Sequence, residues 1–434
     1  MASKEKSQNL NNVEQTIREL SDRIVAAQNP IRVLDAIKWT DDIKNDFFKH
    51  KFQKLPKVNE EYYKHIPLGF DPEKKVEEFY NIEHDIKRKL GKYNAASRLM
   101  QNRCREYRDV VQMLQVRGQR KFTEIAQDLY GSSDDAFYAG APTLRDLASL
   151  VSSVLENIQD KTITEKDKTI YTAQEGVDIL TKKLSSYFYD GDKIYVKVSD
   201  NIISDASAGA DTIKLRADLK FSERVLQLYE VHEGWVHLGT TINGLRQPIC
   251  TFLGKGPPSA IITQEGLAML TEIFTFSSYP GRVRRITNRI IAIDMAEEGA
   301  NFIDVFRFFQ EQGGSEEENY HNTVRVFRGS TPNQGPFTKD LAYSKGFILL
   351  YNYIRLVMRK GNLSHIPLLF MGKISLRQIH LIAELAEDNI IIPPKYVPPQ
   401  FQDKAALSAW MSYSLFLNRL DLEKLAKDYQ DILT

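Results

Sequence analysis

The chain has 434 residues, 42% hydrophobic and 26% charged, a balance that excludes a disordered polyelectrolyte and reads as globular. Its formal charge of +1 gives no global pull toward nucleic acid or a membrane surface. Two cysteines, Cys104 and Cys250, form no metal-binding pattern and cannot make a disulfide scaffold, so a reducing cytoplasm is the expected compartment.

The first stretch, "MASKEKSQNLNN", is polar and lacks the apolar core of a signal peptide; residues 1–12 are expected to be disordered. Residues 13–190 read as a helical region. "NIEHDIKRKLGKYNAASRLMQNRCREYRDVVQMLQVRG" places apolar residues three and four apart and ends at Gly118. After the Gly- and Asp-rich loop "LYGSSDDAFYAGAPTLRD", Thr143 is positioned to cap a helix. No stretch is apolar for long enough to span a bilayer; "GFILLYNYI" from Gly346 is too short.

The pattern changes near residue 190. In "DGDKIYVKVSD" Ile194, Val196 and Val198 alternate with Tyr195 and Lys197, which predicts a strand. "ASAGADTIKLR" predicts a hairpin turn and a strand over Thr212–Arg216. A helix follows from Phe221, with Ser222 as N-cap and Gly244 as its stop. Further helices are expected from Thr263, which would cap the first of them, through to a proline-rich break at "IIIPPKYVPPQF".

Within the helix after the strands lies "HEGWVH": His232, Glu233 and His237 in H-E-x-x-x-H spacing, one residue wider than the familiar zinc-protease motif. On a regular α-helix, histidines four apart diverge by ~40° and can share a metal, whereas five apart they diverge by ~140°. A single metal therefore requires a wide or π-type turn, and Gly234 marks where the backbone deforms most easily. Zinc needs a third ligand. Glu265 in "TQEGLAMLTE" is either that ligand or a carboxylate favoured by a helix N-terminus. Glu272, two turns on, is either a support for a ligand or solvated, and Gly266 and Ala268 would let the two helices approach closely. Glu233 can face the open side of a metal and serve as general base.

"HEGWVH", "QEGLA" and "RVFRG…FTKDLAYSKG" together resemble the bacterial QEGLA-motif proteins, some described as flavohaemoglobin expression modulators. They are also similar to the vertebrate microtubule-associated tyrosine carboxypeptidases, zinc enzymes that remove the C-terminal tyrosine of α-tubulin. The resemblance runs from about residue 75 to about residue 400 and includes "MLQVRGQRKFTEIAQDLYG" and "LLFMGKISL". It implies His232, His237 and Glu265 as zinc ligands and Glu233 as catalytic base. Relatives commonly carry H-E-I-G-x-H; here Gly234 stands first and Trp235 second, so substrate preference does not transfer.

A carboxypeptidase must bind a free carboxylate. Arg325, Arg328, Lys339 and Tyr343, in "NTVRVFRGSTPNQGPFTKDLAYSKG", are the expected substrate-binding residues, the tyrosine as a donor to an oxyanion. "GRVRRITNR" reads as a solvated helix face, with an acidic peptide tail or nucleic acid as the other possible partner. Trp235 is expected to pack.

The expected fold is mainly α with a small β-sheet (α+β). It comprises a helical region over 13–190 and a zincin-like catalytic domain with an HExxxH helix over 191–434, packed as one unit. The expected function is a zinc metallopeptidase, a carboxypeptidase acting on peptide or protein C-termini without membrane or nucleic-acid partners. The alternative is a regulatory or peptide-binding protein that keeps the fold without turnover.

Overall fold

The computed structural model describes residues 10–158, 165–189, 191–200, 202 and 204–432. Most of the segment expected to be disordered, residues 1–9, lies outside them. Its last residues are ordered: Asn11 closes a capping box with Glu14 at the start of α1 (Asn12–Gln28).

The first half is helical because its apolar residues recur at helical spacing between strong caps. Asp71 and Pro72 open α2 (Pro72–Leu90), and Gly91, at φ +75°, ends it. The single helical stretch read from sequence is thus two helices, with Asn94 capping α3 (Ala95–Gln115). Next come α4 (Arg120–Tyr130) and α5 (Leu144–Glu156), the latter with the expected Thr143 cap, boxed by Asp146. Helix α6 (Ala173–Tyr187) leads into the strands.

A short ribbon pairs β1 (Tyr171–Thr172) with β5 (Lys220–Phe221). Between them β2 (Tyr195–Ser199), β3 (Ala206–Ala208) and β4 (Thr212–Arg216) form a three-stranded sheet in the order β2-β4-β3. Strand β4 occupies the expected residues, but it is central. It pairs parallel with β2, Tyr195 opposite Thr212, and antiparallel with its hairpin partner β3. Val196 is buried whereas Val198 is exposed, so only part of the alternation faces the core. Ile213 and Leu215 pack with Leu180 and Leu184 of α6 and with Leu226 and Leu238 of the motif helix. The sheet is therefore a wall behind the motif.

The remaining chain is mainly helical: α7 (Glu223–Tyr229), a π-helical segment (Glu230–Leu238), α8 (Gly239–Leu245), α9 (Pro258–Phe274), α10 (Pro280–Glu297), α11 (Phe302–Glu311), α12 (Glu316–Phe327) and α13 (Ala342–Lys360). One hydrophobic core joins Leu20, Phe79 and Leu114 of the first helices to Leu253, Leu270 and Phe370. Buried Arg103 of α3 reinforces the join by donating to the carbonyls of Phe252 and Lys373.

Two expected helix signals have other roles. Helix α9 begins at Pro258, and Thr263 lies inside it, its hydroxyl accepting from the Leu376 amide. The helix ends at Leu245, one residue past the expected stop at Gly244, but that glycine is not a left-handed cap; a side chain there would collide with the Leu253 carbonyl. The core needs the missing side chain, not a left-handed turn.

Candidate metal centre

Ser222 caps α7 as expected, accepting from the Val225 amide, and three helical segments then run without a break to Leu245. The middle one, Glu230–Leu238, contains the whole H-E-x-x-x-H sequence in π-helical form. Its bonding is visible at its end, where the Gly239 amide reaches the Gly234 carbonyl five residues back. This wider winding brings His232 and His237 onto one face, their rings 4.7 Å apart and nearly perpendicular. The deformation is not centred on Gly234 for conformational freedom. A side chain at Gly234 would strike Leu184 of α6, so the glycine admits a neighbouring helix.

Glu265 comes from α9. His232 Nε2 and His237 Nε2 are 3.1 Å apart, and each lies 3.5 Å from Glu265 Oε2. Ligands ~2.1 Å from a tetrahedral zinc stand ~3.4 Å from one another, so the triangle has the size that ion needs. Glu265 Oε2 is buried with no hydrogen-bond partner, a costly state for a carboxylate that a cation would relieve. These three residues form a group able to hold a metal ion.

The surroundings fix the ligands. Glu272, expected to be either supporting or solvated, is buried, and its Oε1 is 2.6 Å from His232 Nδ1. That contact places the ring proton on Nδ1 and turns the Nε2 lone pair toward Glu265. Arg282 of α10 grips Glu272 through two nitrogens, at 3.0 and 3.3 Å. Burial would raise the Glu272 pKa, but Arg282 and His232 hold it down to about 2. Burial likewise opposes a charged His232, yet Glu265, Glu272 and Glu233 push its pKa up to about 9, evidence of a strongly negative potential. Glu265 stays well below the carboxylate range because His237, His232 and Lys339 outweigh its burial.

The QEGLA motif has a structural account at each position. Gln264 Oε1 accepts from Thr240 of α8 at 2.6 Å and from Lys373 at 2.8 Å, tying α9 to the motif helix beside Glu265. Gly266 does not face the motif helix, as its small size suggested. It meets Gly346 of α13 backbone to backbone, and a side chain on either would collide with the other helix. Leu267 and Ala268 are buried in the core. Lys373, in "LLFMGKISL", also holds the His237 carbonyl at 2.8 Å; burial pushes its pKa down to about 7 despite Glu265 and Glu233.

Glu233 is partly exposed, its Oε1 3.9 Å from His232 Nε2. The Tyr343 ring stacks beside His232 with centroids 6.3 Å apart, and burial and Glu265 push its hydroxyl up to about 12. The four residues expected to bind substrate divide. Arg325 is taken by Asp340 in a paired bond, at 2.7 and 2.8 Å. Arg328 is buried over the Phe337 ring with its Nε unpartnered, and Lys339 has no ion pair or hydrogen bond among the described residues. Gly329, at φ +86°, lets the chain turn under the Phe122 ring directly after Arg328.

The expectation of a solvated face for "GRVRRITNR" is overturned. Arg282 is buried on Glu272, Arg285 pairs with Asp205 at 3.1 Å, and Arg284 donates to the Leu155 carbonyl. Arg289 lies mostly buried over Tyr343, its guanidinium carbon 5.3 Å from the ring centre, with Nε and Nη1 unpartnered. The clue was the spacing: Arg282 and Arg289 are seven apart and share one helix face. Trp235 packs as expected, stacked on Tyr187 at 5.3 Å. His321 lies away from the triad, 3.7 Å from Glu317.

No curated protein matches the sequence. Among solved structures, BsuCP aligns over 92% of this chain and 97% of its own at 13% identity, with a TM-score of 0.36, a remote likeness. The description "microtubule-associated tyrosine carboxypeptidase" matches residues 45–419, most of the chain, and the chain belongs to that family.

Proposed function

We propose that this protein is a zinc metallopeptidase that removes C-terminal residues from peptides or proteins. The observation that carries the reading is the triad of His232, His237 and Glu265, closed to zinc dimensions around an unpartnered carboxylate oxygen, with Glu233 beside it. The π-helical H-E-x-x-x-H then belongs to a zincin-like catalytic part, residues 191–434, supported by the helical region of 13–190.

Bound zinc would supply Lewis acidity and lower the pKa of a water molecule. The chain's own residues supply the rest. Glu233 accepts a proton from the attacking water and returns it to the departing amine. Tyr343, protonated across the neutral range, donates to the oxyanion that develops on the scissile carbonyl. Glu272 and Arg282 keep His232 in the tautomer that leaves Nε2 free. Arg289 and Arg328, which keep guanidinium nitrogens without hydrogen bonds on the Tyr343 side, favour a substrate that ends there with a carboxylate.

No helix among the described residues is long and apolar enough to cross a membrane. Both cysteines are buried and unpaired, which supports a cytoplasmic setting.

The test joins elemental analysis to digestion of one peptide series with free and amidated ends, read by mass spectrometry. One zinc per wild-type chain, lost in His237→Ala, is expected, with single residues released from free ends. Amidation should slow release on the order of ten- to a hundredfold, the loss of one charge-assisted hydrogen bond. Equal zinc in both proteins overturns the ligand set, and cuts confined to peptide interiors overturn the carboxypeptidase reading. A zinc-loaded protein that binds these peptides but cuts none is a binding protein.

A further inference from the structure

Helix α14 (Lys404–Leu417) lies against α13 and buries Leu407, Met411 and Ser414. Its opposite face is apolar too. Between Lys404 and Arg419 the sequence has no charged residue, whereas a helix that faces water carries charge on its outer side. Trp410 is 57%, Tyr413 71% and Phe416 62% exposed, with Leu417 at 53%. At ~100° per residue these four share one arc of ~120° with Ala406 and Ala409. The serines bond to their own helix: Ser408 Oγ donates to the Lys404 carbonyl at 2.5 Å and Ser412 Oγ to the Ser408 carbonyl at 2.8 Å. Covering this face therefore strips neither hydroxyl of its hydrogen bond. The chain then enters α15 (Leu422–Asp428), which buries no residue and exposes Leu422. A helix that short has little stability of its own and needs something to pack on.

Three aromatic side chains of ~150–250 Å² each, all more than half exposed, present roughly 300–500 Å². Leu417, Leu420 and the alanines bring the face toward the ~800 Å² that each partner gives to a stable interface. Monomers rarely leave a contiguous apolar patch of that size in water. We propose that the α14 face is the surface through which two copies of this chain pair about a two-fold axis. The face is complementary to itself. Ala406 and Ala409 occupy its N-terminal half, and Tyr413, Phe416 and Leu417 its C-terminal half. Two α14 helices laid antiparallel set the rings of each on the alanines of the other, with Trp410 near the axis. That is the isologous contact a two-fold requires, with a tryptophan at its centre. A bilayer is the poorer occupant: the face has no lysine or arginine to meet lipid headgroups, and the chain's net charge is only +1. The pairing depends on neither the metal nor the peptidase reading.

The experiment measures the mass of the full-length protein by light scattering and sedimentation, from micromolar down to nanomolar concentration. The wild type should be a dimer at the upper end and dissociate on dilution. Trp410→Glu and Ala409→Glu should each raise the dissociation constant on the order of thirtyfold or more, the loss of a hot-spot contact. Both positions are exposed, so thermal melts of the variants should match the wild type. Tryptophan emission should shift to the blue as the wild type associates. Ala409→Glu, which keeps every tryptophan, should abolish that shift. Should a glutamate variant unfold, Trp410→Phe decides: it keeps an apolar ring and should stay a dimer without the shift. A wild type that is monomeric throughout overturns the proposal, whether or not it floats with anionic vesicles. A dimer that both glutamate variants leave intact, or a blue shift that persists in Trp410→Phe, overturns it as well, because pairing then uses another face.

Discussion

Glu233 and Glu265 both lie within 4 Å of His232 Nε2, yet their surroundings differ. Glu265 is enclosed, its Oε2 aimed at both Nε2 atoms, while Glu233 keeps some exposure and stands 3.9 Å from one of them. Glu233→Gln should therefore retain zinc and lose at least ~10²-fold in turnover, the lower end for general-base catalysis. Zinc content and rate must be measured on the same sample; full activity in a zinc-loaded variant would remove Glu233 from the mechanism. The two histidines and Glu233 were legible from spacing alone, and Glu265 was one of two open readings until a resemblance was added. Arg282, Arg289 and Lys373 were not legible. The two arginines read as ordinary surface cations because charged side chains are usually exposed, and nothing local singles out Lys373. Their partners, Glu272, Asp340 and the His237 carbonyl, lie on other elements, where no local pattern records them.

At the scale of elements, the glycines of the motifs act as contact points between helices. Gly266 and Gly346 let α9 and α13 touch through their backbones, and this contact sets the depth at which Glu265 stands. Gly234 faces only the tip of Leu184, which can rotate aside. Gly266→Ala should thus destabilise the protein by roughly 1–3 kcal/mol, the cost of overpacking, and weaken zinc binding. Gly234→Ala should cost less, offset by alanine's better helix propensity. Thermal melts and zinc titrations of the two variants check the order; a Gly234→Ala protein that is the less stable would refute it. Sequence spacing predicted the wide turn, because five-residue separation has few other solutions for one metal. It did not predict that the turn would extend over nine residues, Glu230–Leu238, since the extent depends on what α6, α8 and α9 hold in place. Strand β4 was legible, but its parallel pairing with β2 is a non-local choice that alternation cannot report.

On the scale of the whole molecule, buried carboxylates away from the site are also matched by cations. Glu83 of α2 is the clearest case away from the site. It meets Lys87, Arg105 and Arg108 at 2.7, 2.9 and 2.6 Å. Burial would raise its pKa, but hydrogen bonds from Lys87, Arg108 and Arg105 lower it from 4.5 to about 2. A depressed folded-state pKa contributes stability above the unfolded value and loses it as pH falls through the folded one. Stability should therefore decline between about pH 4.5 and 2, and Glu83→Gln should make that decline shallower. At neutral pH the variant should lose roughly 1.5–3 kcal/mol, the range for a hydrogen bond to a charged group. Denaturant melts across that pH range test it, and an unchanged acid slope would show that Glu83 contributes nothing to it.

The π-helical segment also has a kinetic consequence. A helix that rewinds to ordinary α geometry swings one imidazole ~140° from the other and opens the ligand set without protonating anything. Rewinding a few residues is intrinsically a sub-microsecond event. Metal residence time would then be governed by how firmly the flanking helices resist rotation. Leu184 against Gly234 and Lys373 on the His237 carbonyl are the brakes on that rotation. Loosening either should speed zinc exchange even where the equilibrium affinity barely changes.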